Sequence, residues 1–126
     1  MSSHILVVDD NPLNLKLASE VLEFEGYQVS RAENADQALV QLDTNRPDLI
    51  LMDISMPGMD GLTLTQKLKA HPATRDIVIV ILTASAMAGD EAKAKGAGCD
   101  GYITKPIDTR SFPAQVASYL AANKKG

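Results

Sequence analysis

Pro47-Asp48-Leu49-Ile50-Leu51-Met52-Asp53-Ile54-Ser55-Met56-Pro57-Gly58 decides how the chain is read. Four apolar residues, Leu49 to Met52, lead into one carboxylate, and Pro57-Gly58 closes the run. A short apolar run bounded by turn residues predicts a strand buried on both faces. Asp53 then stands at the carboxyl end of a central strand. In open α/β sheets that edge is where ligands and chemistry gather. Aspartate also ends strands and caps turns with no further role, so Asp53 alone leaves both readings open.

Upstream, Ile5 to Val8 is a second apolar run, ending in Asp9-Asp10. Asn11 suits a helix N-cap and Pro12 the first helical position. Leu13, Leu17, Ala18, Val21 and Leu22 then recur at helical spacing, and Gly26 stops the helix. Tyr27 to Ala32 reads as the next strand. Asn34 can cap a second helix whose buried face is expected to be Ala35, Ala38, Leu39 and Leu42. Downstream, a third helix is predicted from about Gly61 to Ala70, with Leu64 and Leu68 inward. It ends at His71-Pro72, because the residue before proline is pushed out of helix. Ile77 to Leu82 is a fourth strand, ending at Thr83. A fourth helix with few large apolar residues is expected over about Ala86 to Ala97, left at Gly96 and Gly98. Gly101 to Thr104 is a fifth strand before Lys105-Pro106. The final helix carries Phe112, Val116, Tyr119 and Leu120 on one face. Pro113 would remove a hydrogen bond from a helix capped by Asp108, so the regular helix is expected to start near Ser111 or to open with a distorted turn.

Five strands alternating with five helices imply parallel strands and helices on both faces. The fold class is therefore α/β, a flavodoxin-like (βα)5 arrangement with strand order 2-1-3-4-5. The length suits one domain able to bury its own core. A net charge of −4 argues against an electrostatic nucleic-acid binder. Cys99 is the single cysteine, which excludes an internal disulfide and fits a reducing compartment. No signal peptide or long apolar span is apparent, so a cytoplasmic protein without a membrane partner is expected.

In that strand order the first and third strands are neighbours, and Asp9, Asp10 and Asp53 converge. Three carboxylates this close repel and need a partner charge. A hard divalent cation such as Mg²⁺, which takes oxygen ligands and keeps several waters, resolves the conflict. Lys105 after the fifth strand adds a cation, and Thr83 after the fourth adds a hydroxyl. Each has an ordinary alternative: a cap, a strand threonine, a solvated lysine. Together on one rim they are what a phosphoryl group requires, namely a nucleophilic carboxylate, charge neutralisation and donors to its oxygens.

At these residues the chain resembles the response-regulator receiver domains of the CheY-like superfamily. The resemblance is carried by Asp9-Asp10 after Leu6-Val7-Val8, by Asp53 within Leu51 to Gly61, by Leu82-Thr83-Ala84 and by Lys105-Pro106. The runs Asp9-Asp10-Asn11 and Gly96 to Tyr102 are similar to stand-alone regulators of the DivK type, and receivers of hybrid histidine kinases look much the same. The resemblance covers essentially the whole chain, so 1–126 is expected to be one receiver domain with no output domain.

It implies that Asp53 accepts a phosphoryl group from a sensor histidine kinase or histidine phosphotransfer protein, or from a small phosphodonor. Asp10, Asp53 and the backbone carbonyl of Ser55 would hold Mg²⁺, with Asp9 helping through water, while Lys105 and Thr83 contact the phosphoryl oxygens. Thr83 and Tyr102 would form the switch, reshaping the face of the fourth helix, fifth strand and final helix for a downstream protein target. Ser55 and Ser85 occupy positions that modulate hydrolysis. Partner choice is expected on the first helix near Leu13 to Leu17 and on the loop before the final helix. The protein would be a monomer or a weak phosphorylation-dependent dimer, and a switch rather than an enzyme.

Other classes fit less well. A haloacid-dehalogenase-type phosphatase would want an Asp-x-Asp nucleophile motif after its first strand, where this chain has Asp9-Asp10-Asn11. A flavin carrier would want a hydroxyl-rich phosphate loop there, where Asp9 and Asp10 repel phosphate. A DNA-binding regulator would need a helix-turn-helix domain for which the chain leaves no room.

Overall fold

The computed structural model describes residues 3–44, 46–53, 61–83, 96, 98–104 and 107–124, without the side chains of 83 and 122–124. The strands are β1 (His4–Val8), β2 (Gln28–Ala32), β3 (Leu49–Asp53), β4 (Val78–Thr83) and β5 (Gly101–Thr104). All pair in parallel, in the order β2-β1-β3-β4-β5. The described helices are α1 (Pro12–Phe24), α2 (Ala35–Thr44), α3 (Gly61–Ala70) and a C-terminal helix (Phe112–Lys124). The helix expected over 86–97 lies outside the described residues.

Every residue of β1 and of β3 is buried, because the sheet is covered on both sides. Alternation along the strands divides the core in two. Ile5, Val7, Leu49, Leu51, Val80 and Leu82 pack with Leu15, Ala18 and Leu22 of α1 and with Phe112, Val116 and Leu120 of the C-terminal helix. Leu6, Val8, Ile50, Met52, Ile79 and Ile81 pack on the other side with Ala35 and Ala38 of α2 and Leu64 and Leu68 of α3.

The helix signals of the sequence hold locally. Asn11 Oδ1 accepts from Leu13 N and Asn14 N at 2.9 and 3.2 Å, with Pro12 following. Asn34 caps α2, its Oδ1 accepting from Gln37 N, and the Gln37 side chain reaches back so that its Oε1 accepts from Glu33 N, one residue before the cap. Gly26 takes the positive φ that ends α1. The C-terminal helix starts at Phe112, so Pro113 falls in the first turn, where its missing donor costs no hydrogen bond. A turn over 108–111 precedes it, with Phe112 N and Ser111 N both donating to Asp108 O.

The structure settles the inward side of α1 and corrects one position of α2. α1 buries Leu15, Ala18, Ser19 and Leu22, whereas Leu13 is 78 % exposed and Leu17 40 %. Ser19 can be buried because its hydroxyl donates to Leu15 O at 2.6 Å. On α2, Ala35 and Ala38 are inward as expected and Leu42 is half-buried, but Leu39 is exposed. Small residues bring α2 close to the sheet and leave the bulky Leu39 outside.

Candidate functional site

The carboxyl edge of the sheet gathers the residues singled out above. Register sets their level. Val8 pairs with Met52, Asp53 with Leu82, and Thr83 with Thr104. Asp9 therefore follows β1 beside Asp53, and Thr83 ends β4 one step beyond. Tyr102 sits on β5, half-buried against the α2–α3 side of the core. Lys105 follows Thr104 in the chain, but Lys105, Ser55 and Ser85 lie outside the described residues, as does the side chain of Thr83.

The structure brings Asp9, Asp10 and Asp53 together: one carboxylate oxygen from each lies within 4.8 Å of the others. Their surroundings differ. Asp53 is 4 % exposed and Asp9 is 1 % exposed, while Asp10 faces solvent. β3 is flanked by β1 and β4, so the strand that carries Asp53 is held from both sides. Asp9 is tied through its own backbone, its N donating to Ala32 O at 3.1 Å, and through its side chain, whose Oδ1 accepts from Asn11 N at 2.9 Å.

Asn11 thus serves two elements, its side chain capping α1 and its amide fixing Asp9. Its sequence neighbours signalled the cap; nothing in the sequence signalled the bond to Asp9. The donor set is three carboxylates, all hard oxygen ligands, in a cluster tight enough for one ion. These are the donors that Mg²⁺ or Ca²⁺ takes and that soft metals do not favour. The residues therefore fit a hard divalent cation.

A second network stands on the side of the molecule that leads into β5. Lys69 Nζ donates to Asp100 Oδ2 at 2.7 Å, to Ile77 O at 2.8 Å and to Arg75 O at 3.1 Å. Asp100 Oδ2 also accepts from Ile79 N, and Asp100 N donates to Ile79 O, both at 2.8 Å. This clip joins the end of α3, the start of β4 and the entry to β5. Behind β5, Tyr119 of the C-terminal helix lies over Gly101, where a Cβ would run into its ring, and its hydroxyl donates to Tyr102 O at 3.3 Å. Cys99, beside the clip, is half-buried, and that burial pushes its thiol pKa up.

The fold and the rim define an open, parallel α/β protein whose carboxylate cluster, with one buried acid at the end of the central strand, fits a hard cation. Over residues 5–117 the chain matches the response regulator receiver domain, and it belongs to that family. It is 42 % identical over 120 residues to the polar-differentiation response regulator DivK of Brucella anthropi, covering 95 % of this chain and 98 % of that one. Among solved structures, the signal receiver domain of a signal transduction histidine kinase from Syntrophus aciditrophicus superposes with a TM-score of 0.89 at 34 % identity, covering 99 % of this chain and 95 % of that one. A CheY-like response regulator receiver domain protein from Methanospirillum hungatei gives 0.89 at 31 % identity, with 99 % and 98 % covered. The chain is thus a DivK-like receiver domain of two-component signalling. No described helix is long and apolar enough to cross a membrane.

Proposed function

We propose that this chain is a phosphorylation-controlled switch whose phosphoacceptor is Asp53. The observation that carries the reading is the buried Asp53 carboxylate, held at the end of the central strand within one ion's reach of Asp9 and Asp10. A carboxylate oxygen of Asp53 attacks the phosphorus of a phosphohistidine on a sensor kinase or phosphotransfer protein. The phosphorus–nitrogen bond breaks and an acyl phosphate forms. Asp10, Asp53 and the carbonyl of Ser55 would hold Mg²⁺, with Asp9, whose carboxylate accepts from the Asn11 amide, helping through water. Bound Mg²⁺ supplies the neutralising charge that transfer onto a cluster of carboxylates requires. Lys105 and Thr83 receive the phosphoryl oxygens. Thr83 and Tyr102 relay the change to the face around β5, where a downstream protein binds, and Ser55 and Ser85 govern access of hydrolytic water. The protein acts as a switch in the cytoplasm and releases no product of its own.

The exposed apolar stripe of α1, which starts at the rim and runs back from it, supports a docking role for this helix. Leu13 and Phe24 are 78 % and 89 % exposed, and Leu17, Val21 and Phe24 border a groove of about 390 Å³ closed by Thr109 and Pro113. These are the first helix and the loop before the last one, where the phosphodonor is expected to sit. The match to DivK along 98 % of its length supports a stand-alone regulator. The likeness to a histidine kinase's receiver domain supports a second reading, a segment of a hybrid kinase with the same site chemistry. Immunoblotting the source cells separates the two by size.

The decisive test is intact mass after incubation with acetyl phosphate. A gain of one phosphoryl group that needs both Mg²⁺ and Asp53 is expected, and a gain that survives Asp53→Asn would move the nucleophile elsewhere. A Tyr102 side chain unchanged by a phosphate mimic would remove the switch assignment.

A further inference from the structure

The second exposed apolar surface lies away from the rim, between α2 and α3. Leu39 and Leu42 of α2 and the buried Leu68 of α3 line a groove of about 400 Å³. Its edges carry Arg46, Lys67 and His71 against one acid, Asp43. Among the described residues neither Arg46 nor Lys67 forms an ion pair; those present join Arg31 to Glu23 and Lys69 to Asp100. In a chain of net charge −4 this is a local reversal of sign. Val40, 68 % exposed, extends the apolar surface along α2.

We infer that this groove docks an acidic amphipathic helix of a partner protein. An apolar floor between two helices receives the apolar face of a third, as in helix-in-groove recognition. Arg46 and Lys67 at the groove's edges, unpaired among the described residues, select acidic flanks and disfavour basic ones. Position adds a functional consequence. Helices in a parallel α/β sheet run back along it, so the ends of α2 and α3 that carry Arg46, Lys67 and His71 lie at the amino edge of the strands. Asp53 is at the opposite edge. A partner seated here leaves the phosphoryl rim and the α1 stripe uncovered, and docking is independent of phosphorylation. The inference goes beyond the proposed phosphoryl chemistry and does not rest on it.

The probe is a fluorescein-labelled, helix-favouring 16-mer with leucines on one face and glutamates flanking them, compared with its lysine-flanked counterpart. Anisotropy titration of the full chain is expected to give a Kd below ~100 μM for the acidic peptide. Arg46→Glu with Lys67→Glu should weaken it at least tenfold. Leu39→Lys, at a position already exposed, should do the same while the thermal melt stays unchanged. Lys67→Gln serves where charge reversal disturbs folding, with a smaller loss expected. Affinity should not move with Asp53→Asn or with acetyl phosphate and Mg²⁺. Equal binding of the two peptides, binding indifferent to the groove variants, or no binding by either would overturn the inference. Self-association in sedimentation that the same variants abolish would assign the groove to a second copy and overturn the partner assignment.

Discussion

Replacing Lys69 with methionine tests whether the clip between α3, β4 and β5 holds this side of the fold. Methionine keeps most of the aliphatic stem and deletes three charged donors at once. The Lys69 and Asp100 side chains are 18 % and 43 % exposed, so their pairing contributes only about 0.5–1 kcal/mol. Ile77 O is partly buried, and losing a charged donor there costs about 1–2 kcal/mol. Arg75 O is exposed, and water replaces the ammonium for roughly 0.5 kcal/mol. The sum is about 2–3.5 kcal/mol. For a chain of this size a kilocalorie shifts the midpoint by roughly 3–5 °C, so thermal unfolding followed by circular dichroism should fall by about 6–17 °C. Lys67→Met, on the solvent side of the same helix, should stay within about 0.5 kcal/mol. Salt near 1 M should weaken only the Asp100 component, since the bonds to the two carbonyls are not pairings of opposite charges. A drop of less than about 2 °C for Lys69→Met, or an equal drop for Lys67→Met, would refute the reasoning.

Gly101→Ala should destabilise by about 1–3 kcal/mol in urea unfolding, because the new methyl displaces the Tyr119 ring. In a Tyr119→Ala background the same change should be nearly neutral, and an equal cost in both backgrounds would exclude this contact as the cause. Burial raises the Cys99 thiol pKa, so alkylation by iodoacetamide near neutral pH should run several-fold slower than in the urea-unfolded chain; equal rates would contradict it. A thiol raised by folding is protonated in both states below its unfolded pKa, and its stabilising contribution is lost as pH rises through the folded pKa. Part of the alkaline loss of stability should therefore disappear in Cys99→Ala. Asn11→Ala removes the α1 cap and loosens the amide that holds Asp9, so stability should fall by about 1 kcal/mol, and Asn11→Ser should restore most of it.

What was legible in the sequence was whatever local chemistry dictates. Continuous apolar runs announced β1 and β3 because both faces of those strands are covered, and a parallel sheet order then carried Asp9 and Asp10 to Asp53. Asn11-Pro12, Asn34 and Gly26 marked helix ends because capping depends on residues a few positions apart. The Lys69 clip was illegible, since two of its acceptors are backbone carbonyls and the third, Asp100, is 31 positions away. The buried polar residues Ser19 and Thr65 were also illegible. Each hydroxyl closes on the carbonyl one turn back, at Leu15 and Gly61, so hydropathy counts them as outward when they are not.

The side of α1 that faces the core is the most informative outcome. The helix carries apolar residues at 13, 15, 17, 18, 21, 22 and 24, enough for two stripes, and periodicity cannot choose between them. The structure turns Leu15, Ala18 and Leu22 inward and leaves Leu13, Leu17 and Phe24 in water. That choice costs the core nothing, because Leu15 and Leu22 fill it, but it exposes three large side chains that a charged face would spare. α2 repeats the pattern with Leu39 and Val40 on the other side of the sheet. If these residues served folding, replacing them with lysine would destabilise the chain. If they are contact surfaces, Phe24→Lys and Leu39→Lys leave the unfolding midpoint within about 0.5 kcal/mol of the parent. Under the docking assignments the two substitutions then separate by function: Phe24→Lys slows phosphoryl transfer from the donor protein and leaves the acidic peptide bound, and Leu39→Lys does the reverse. A shared loss of stability, or a loss of both functions from either change, would break the division of the surface into a donor face and an acidic-helix groove.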